Sequence, residues 1–189
     1  MRASEPERKQ FSSAKRDRRG HNIAELGPTL MIAFAMLIFP LLALGFLGTR
    51  YLLLINAANV AAEQASKSAT FKTDTSTSYS AVTTANNVSQ QQISGIGGGA
   101  VQWVATQTYI YVCPLGTTTV TTPGANTPLT AAANSSANTY NCVVKVNAVL
   151  QPLFPGWKGM IGSIPGLNTS ISTWAQASRF FENTSNLNE

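Results

Sequence analysis

Glu25 is the residue whose setting most demands a chemical reason. It lies five residues beyond Gly20 and four beyond His21, between a basic tail and a long uncharged apolar run. An ionised carboxylate at the centre of a membrane helix costs roughly 2.5–3.5 kcal/mol even on a lenient insertion scale. A carboxylate at the mouth of such a segment therefore either sits among headgroups, favourable to the N-terminal helix dipole, or meets a cation. The remaining chemical groups are sparse. His21 is the only histidine, and the acids from Asn56 onward are Glu63, Asp74, Glu182 and Glu189. No Ser/His/Asp set, metal cluster or carboxylate pair can be assembled from them. The sequence thus implies no catalytic residues, no metal and no cofactor. Gly95-Ile96-Gly97-Gly98-Gly99-Ala100 fits the dinucleotide fingerprint nominally, but it follows a polar helix and precedes a strand, the reverse of the required context.

Cys113 and Cys142 are the other reactive residues, each beside a strand-like sequence. In an exported, oxidising setting a disulfide between them is expected, closing the intervening loop at its base. Two free buried thiols are the alternative. Asn87, Asn134, Asn168 and Asn183 each begin an Asn-x-Ser/Thr triplet, a pattern common by chance in so polar a sequence.

The elements that hold these residues follow from charge and periodicity. Seven of the 13 cations fall within residues 1–20, against three acids, so most of the formal charge of +5 belongs to a short leader. The cations beyond it are too few and too scattered for a nucleic-acid face. Leu26 to Thr49 contains no charge and exceeds the about 20 residues that cross a bilayer. It is also too long for the about 7–15-residue core of a cleaved signal peptide. Cations before the run and Arg50 alone after it place the N-terminus in the cytoplasm and the rest outside. Pro40 lies mid-span, where it removes one backbone hydrogen bond, and Gly45 and Gly48 offer a flat surface to a neighbouring helix.

Beyond Ile55 the apolar positions narrow to Leu54, Ala58, Ala61, Ala65 and Ala69 at helical spacing. Such a stripe packs against the protein's own sheet or lets adjacent subunits approach. Thr73 to Ser78 should end this helix, with a second polar helix over Tyr79 to Ile93. Val101 to Cys113, Cys142 to Leu150 and Asn168 to Arg179 read as strands. Pro152 to Pro165 reads as a connection. The expected fold is α+β: a leader over 1–20, a transmembrane helix over 21–55, and an exported domain over 56–189. That domain contains a small antiparallel sheet and an exposed Thr/Gly/Pro-rich loop at about 114–138.

Arg18-Arg19-Gly20, Glu25 and the apolar helix together resemble the N-terminus of the type IV pilin superfamily. Within it the chain resembles the TadE-like pseudopilins of tight-adherence (Flp pilus) systems. The resemblance extends through Pro28, the run containing Pro40, and the Asn/Ala-rich segment Asn56 to Ala69. More loosely it includes the ending Ile171 to Glu182. His21 replaces the phenylalanine frequent in type IV pilins, and Leu26 the tyrosine usual after the glutamate in Flp pilins. Both departures favour the pseudopilin reading, as does the length of 189 residues. The resemblance implies cleavage after Gly20 by an inner-membrane prepilin peptidase, leaving His21 as the first mature residue. Glu25 would then meet the new α-amino group of an adjacent subunit during assembly. It further implies a single-pass protein of the bacterial inner membrane with a periplasmic or extracellular C-terminal domain, retained there or passed into a pilus for adhesion or secretion. Its partners would be other pilins or pseudopilins, the assembly platform and the lipid bilayer. The competing reading is a permanently anchored protein whose exported domain binds a ligand.

Overall fold

The computed structural model describes residues 18–75, 78–97, 99–155 and 163–189. The expected leader lies outside them up to residue 17, as does the centre of the Pro152 to Pro165 connection. The first element, α1 (Arg18–Ser66), runs unbroken through Pro28 and Pro40. The chain divides into two compact units, one ending at Leu42 and the other spanning Ala43–Glu189.

In the first unit α1 leaves Leu26, Leu30, Met31, Phe34, Met36 and Leu37 exposed. Soluble monomers rarely expose an apolar surface of this extent. By length and composition α1 is capable of crossing a bilayer.

In the second unit the same helix becomes amphipathic. Leu54, Ala58, Ala61 and Ala65 of the alanine stripe are fully buried, joined by Ala57 and Ala62. They belong to a single core that includes the inner face of the sheet. The stripe therefore packs inside its own domain, where alanine lets a helix approach closely. Ala69 lies beyond the helix, which stops at Ser66 rather than near Thr73. Ser66 Oγ donates back to the Glu63 carbonyl at 2.8 Å, a competing bond that disfavours further helix. The Ser66 carbonyl instead accepts the Glu182 N–H at 3.0 Å.

Asp74 and Ser80 start the second helix, α2 (Ala81–Gly97). Ser80 Oγ caps the Thr83 N–H at 3.3 Å, while Asp74 Oδ1 accepts the Ser80 N–H at 2.8 Å. The three strands, β1 (Val101–Pro114), β2 (Asn138–Leu150) and β3 (Ile171–Phe180), form one antiparallel sheet in the order β1-β2-β3. The expected α+β arrangement of a long N-terminal helix and a small antiparallel sheet is thus present. Alternation puts Ile110 of β1, Tyr140, Cys142, Val144, Val146 and Ala148 of β2, and Ala175 and Ala177 of β3 into the core. α2 docks on β1, where Ser89 Oγ and Thr106 Oγ1 lie 2.5 Å apart. The opposite face carries Tyr109, Tyr111, Lys145, Trp174 and Phe180, the last two 51% and 69% exposed.

The long β1–β2 loop is more than an exposed connection. Val112 and Thr121 exchange backbone hydrogen bonds of 2.9 and 3.0 Å. Asn126, at a left-handed φ of 53°, caps both backbone groups of Thr108 at 2.8 and 2.7 Å. Asparagine tolerates that conformation because its side chain bonds locally. The loop thereby covers an edge that would otherwise invite another strand.

Candidate functional site

Gly20, His21 and Glu25 fall in the first two turns of α1; their side chains lie outside the described residues. The helix places His21 and Glu25 one turn apart, about 6 Å along the axis at 1.5 Å per residue. The apolar stretch that follows has gaps as well as bulk: a Cβ on Gly27, Gly45 or Gly48 would meet nothing within 4 Å. Glycines open in this way let a second helix approach closely.

Where α1 enters the second unit, two contacts tie it to the β2–β3 connection. Arg50 Nη1 donates to the Gln151 carbonyl, which gives the lone cation after the apolar run a partner 101 residues away. Leu47 lies against Gly166. Neither contact is visible in the local sequence, where the only hint is an isolated arginine opposite a connection rich in glycine and proline.

The expected disulfide is corrected by the register: Cys113 and Cys142 are both free. Cys142 stands opposite Ile110, and Cys113 opposite Thr139. The two cysteines are therefore offset by three residues, or about 10 Å along the ladder and about 11 Å between Cα atoms. A disulfide tolerates at most about 6.8 Å. An odd offset also puts the two side chains on opposite faces of the sheet. Cys142 is buried in the core, and burial pushes its thiol up to about 12. Cys113 is half-buried, its Sγ 3.5 Å from the Thr117 carbonyl.

A hollow of about 400 Å³ lies between the end of α2 and the start of β1, lined by Gln90, Ile93, Gln102, Trp103 and Gln151 among others. Gln151 Nε2 donates to Gln102 Oε1 at 3.0 Å, so two of its amides satisfy each other. None of the described residues that line it is titratable. Among the described residues, no three of His, Cys, Asp and Glu are grouped to hold a metal ion. Among the described residues, the most extensive exposed apolar surface is that of α1, from Leu26 to Phe46. No family model, curated protein or solved structure matches the chain.

Proposed function

We propose that the chain is a TadE-like minor pilin or pseudopilin. In this reading a prepilin peptidase cuts after Gly20, and the product contributes to a Flp or type IV-like pilus or secretion apparatus. One observation supports it above the others. The Gly20–His21 junction, Glu25 and an unburied apolar surface continuing to Phe46 follow one another on a single helix that is long enough to span a bilayer. The helix anchors the chain in the inner membrane before assembly, with the sheet domain outside. Cleavage makes His21 a terminal amine, whose ordinary pKa of about 7.7–8.0 leaves much of it charged at neutral pH. Glu25 of a neighbouring copy pairs with that amine. Removing either partner leaves an uncompensated charge in a low-dielectric layer, a loss of about 3–5 kcal/mol for a buried pair.

The test has two parts. Mass determination of the mature protein, from cells with an active prepilin peptidase, should show His21 as the N-terminus; a chain retaining the leader would overturn the proposal and favour the anchored ligand-binding alternative. Glu25→Ala should be cleaved normally but recovered in assembled material at least about tenfold less, the factor that 1.4 kcal/mol corresponds to. Normal incorporation of this variant would rule out the pairing.

A further inference from the structure

The two edges of the sheet are finished differently. The Phe181 N–H donates to the Tyr140 carbonyl at 3.0 Å. Bonded and non-bonded pairs alternate along an antiparallel ladder. In the β2–β3 register the odd residues of β3 therefore bond β2, and Ser172, Trp174, Gln176, Ser178 and Phe180 turn their backbone N–H and C=O groups away from it. All five residues are exposed. Of these backbone groups only the Ser178 carbonyl bonds another described residue, accepting from Arg179 Nη1 at 3.0 Å. On the far edge, by contrast, Thr108 and Val112 of β1 also face outward, but Asn126 and Thr121 of the β1–β2 loop meet them. Natural proteins blunt open edges with short strands, proline, bulges or charge. β3 has 10 residues, an unshifted register, no proline, and a single charge at Arg179 near its end.

A complementary edge exists on the same chain. Residues 117–122, Thr-Thr-Thr-Val-Thr-Thr, are all exposed and all β-branched, the type of side chain that favours strands. Thr121 uses both backbone groups on Val112. Alternation then turns those of Val120 and Thr122 outward, and they bond no described residue. Direction matches as well. β1 and β3 are each antiparallel to β2 and so point the same way, while the Val112–Thr121 bridge is antiparallel to β1. A second copy in the same orientation, set beside β3, thus offers its 117–122 run antiparallel to β3. Directly paired residues share a face, so Val120 of that copy lies on the face that carries Trp174 and Phe180 and covers part of their exposed surface.

We propose that copies of this chain join head to tail by strand addition, residues 117–122 of one copy pairing along β3 of the next. Such a contact uses both open edges, whereas β3 paired with β3 about a two-fold axis uses one and leaves the loop edge bare. The contact is heterologous, so it propagates into a ring or a filament. It also keeps the buried stretches of α1 parallel in successive copies, where a two-fold axis normal to the sheet would oppose them. Neither the Gly20 cut nor Glu25 takes part in it.

The test uses the full, uncleaved chain co-reconstituted in vesicles of phosphatidylethanolamine and phosphatidylglycerol, in a Cys113→Ser background where Cys142 stays shielded in the core. One population carries Gln176→Cys; the other carries Thr118→Cys, Val120→Cys or Thr122→Cys. Under mild oxidation at least one mixture should yield a disulfide-linked dimer, because directly paired strands bring Cα atoms within the about 6.8 Å that a disulfide tolerates. Each variant alone should yield none. Ser178→Pro, added to the Gln176→Cys chain, should abolish the dimer yet leave thermal unfolding unchanged, since an outward N–H on an edge strand bonds nothing in the single chain. Dimer from any single variant alone would show a symmetric contact and overturn the proposal, as would no dimer in any mixture. A dimer indifferent to Ser178→Pro would show proximity without strand pairing, and a Ser178→Pro chain that unfolds early would show that its N–H is not free; either result refutes the pairing. None of these outcomes bears on cleavage at Gly20 or on Glu25, which have their own tests.

Discussion

Purified under conditions that block adventitious oxidation and treated with iodoacetamide without reductant, the folded chain should take up label at Cys113 and resist it at Cys142. The magnitude follows from burial. With its thiol near 12, Cys142 is thiolate in about one molecule in ten thousand at pH 8, whereas an ordinary cysteine near 8.5 is about one quarter ionised. Since the thiolate is the nucleophile, Cys142 should react some three orders of magnitude more slowly than an unhindered thiol, roughly 2,500-fold from these fractions, before any steric shielding by the core. Under denaturation without reductant, both cysteines should add label, read as two mass increments. The same shift sets a pH dependence. A thiol whose folded value lies above its unfolded value of 9.0 contributes stability that is intact below about 9 and declines as pH rises towards about 12. The decline amounts to something on the order of 4 kcal/mol for three units, and Cys142→Ala should lack that component. An unlabelled denatured chain that accepts label only after reduction would establish a disulfide. That result would refute the β1–β2 register, because the three-residue offset could not survive it.

Gly166→Ala should destabilise the protein in detergent micelles more than Gly99→Ala, as read by thermal unfolding. Both impose a left-handed conformation costing about 1–2 kcal/mol, but only at Gly166 must Leu47 and Ile171 also move, for about 1 kcal/mol more. Equal losses would remove the Leu47 contact, and Leu47→Ala combined with Gly166→Ala should recover the difference. Thr108 Oγ1 is buried without a hydrogen-bond partner among the described residues, so Thr108→Val should stabilise by about 1–2 kcal/mol; a loss would reveal a partner for that hydroxyl. The backbone N–H of Ser80, with help from the Ser80 and Thr83 side chains, holds the Asp74 carboxyl below its ordinary value. Its contribution is present above about pH 4 and vanishes as pH falls. The stability gap between the native chain and Asp74→Ala should therefore close on acidification, and a gap unchanged down to about pH 2 would contradict that linkage.

Much of this fold is legible in the sequence, because its elements are written in local periodicity. The absence of charge from Leu26 to Thr49 and the spacing of Leu54, Ala58, Ala61 and Ala65 mark successive stretches of the one helix α1, though not its end at Ser66, and the β-branched run from Val101 marks the start of β1. The failures are tertiary. Cys142 looks like the first residue of a strand, but β2 begins at Asn138, and the four extra residues carry the cysteine past its counterpart. Composition marks residues 114–138 as loop, yet Asn126 acts there as an edge cap, set by one left-handed residue facing Thr108. Leu47–Gly166 and Arg50–Gln151 join residues more than a hundred positions apart, and no local pattern encodes them.

The burial of the alanine stripe changes where copies of this chain would meet. Read alone, Ala58, Ala61 and Ala65 suit either an intramolecular or an intersubunit helix contact; fully enclosed by their own domain, they leave nothing to present to a neighbour. The small residues still open lie further back, at Gly27, Gly45 and Gly48, interspersed with the exposed side chains from Leu26 to Phe46. If the proposed pilin reading holds, subunit association through α1 would fall on the same segment that would otherwise face lipid. In that setting small residues allow close approach while bulky ones exchange lipid contacts for protein contacts at little net gain. On that reading, the energetic distinction between staying in the bilayer and joining an assembly would fall disproportionately on polar groups, and Glu25, the only charged residue between Arg19 and Arg50, is where a single pairing would tip the balance.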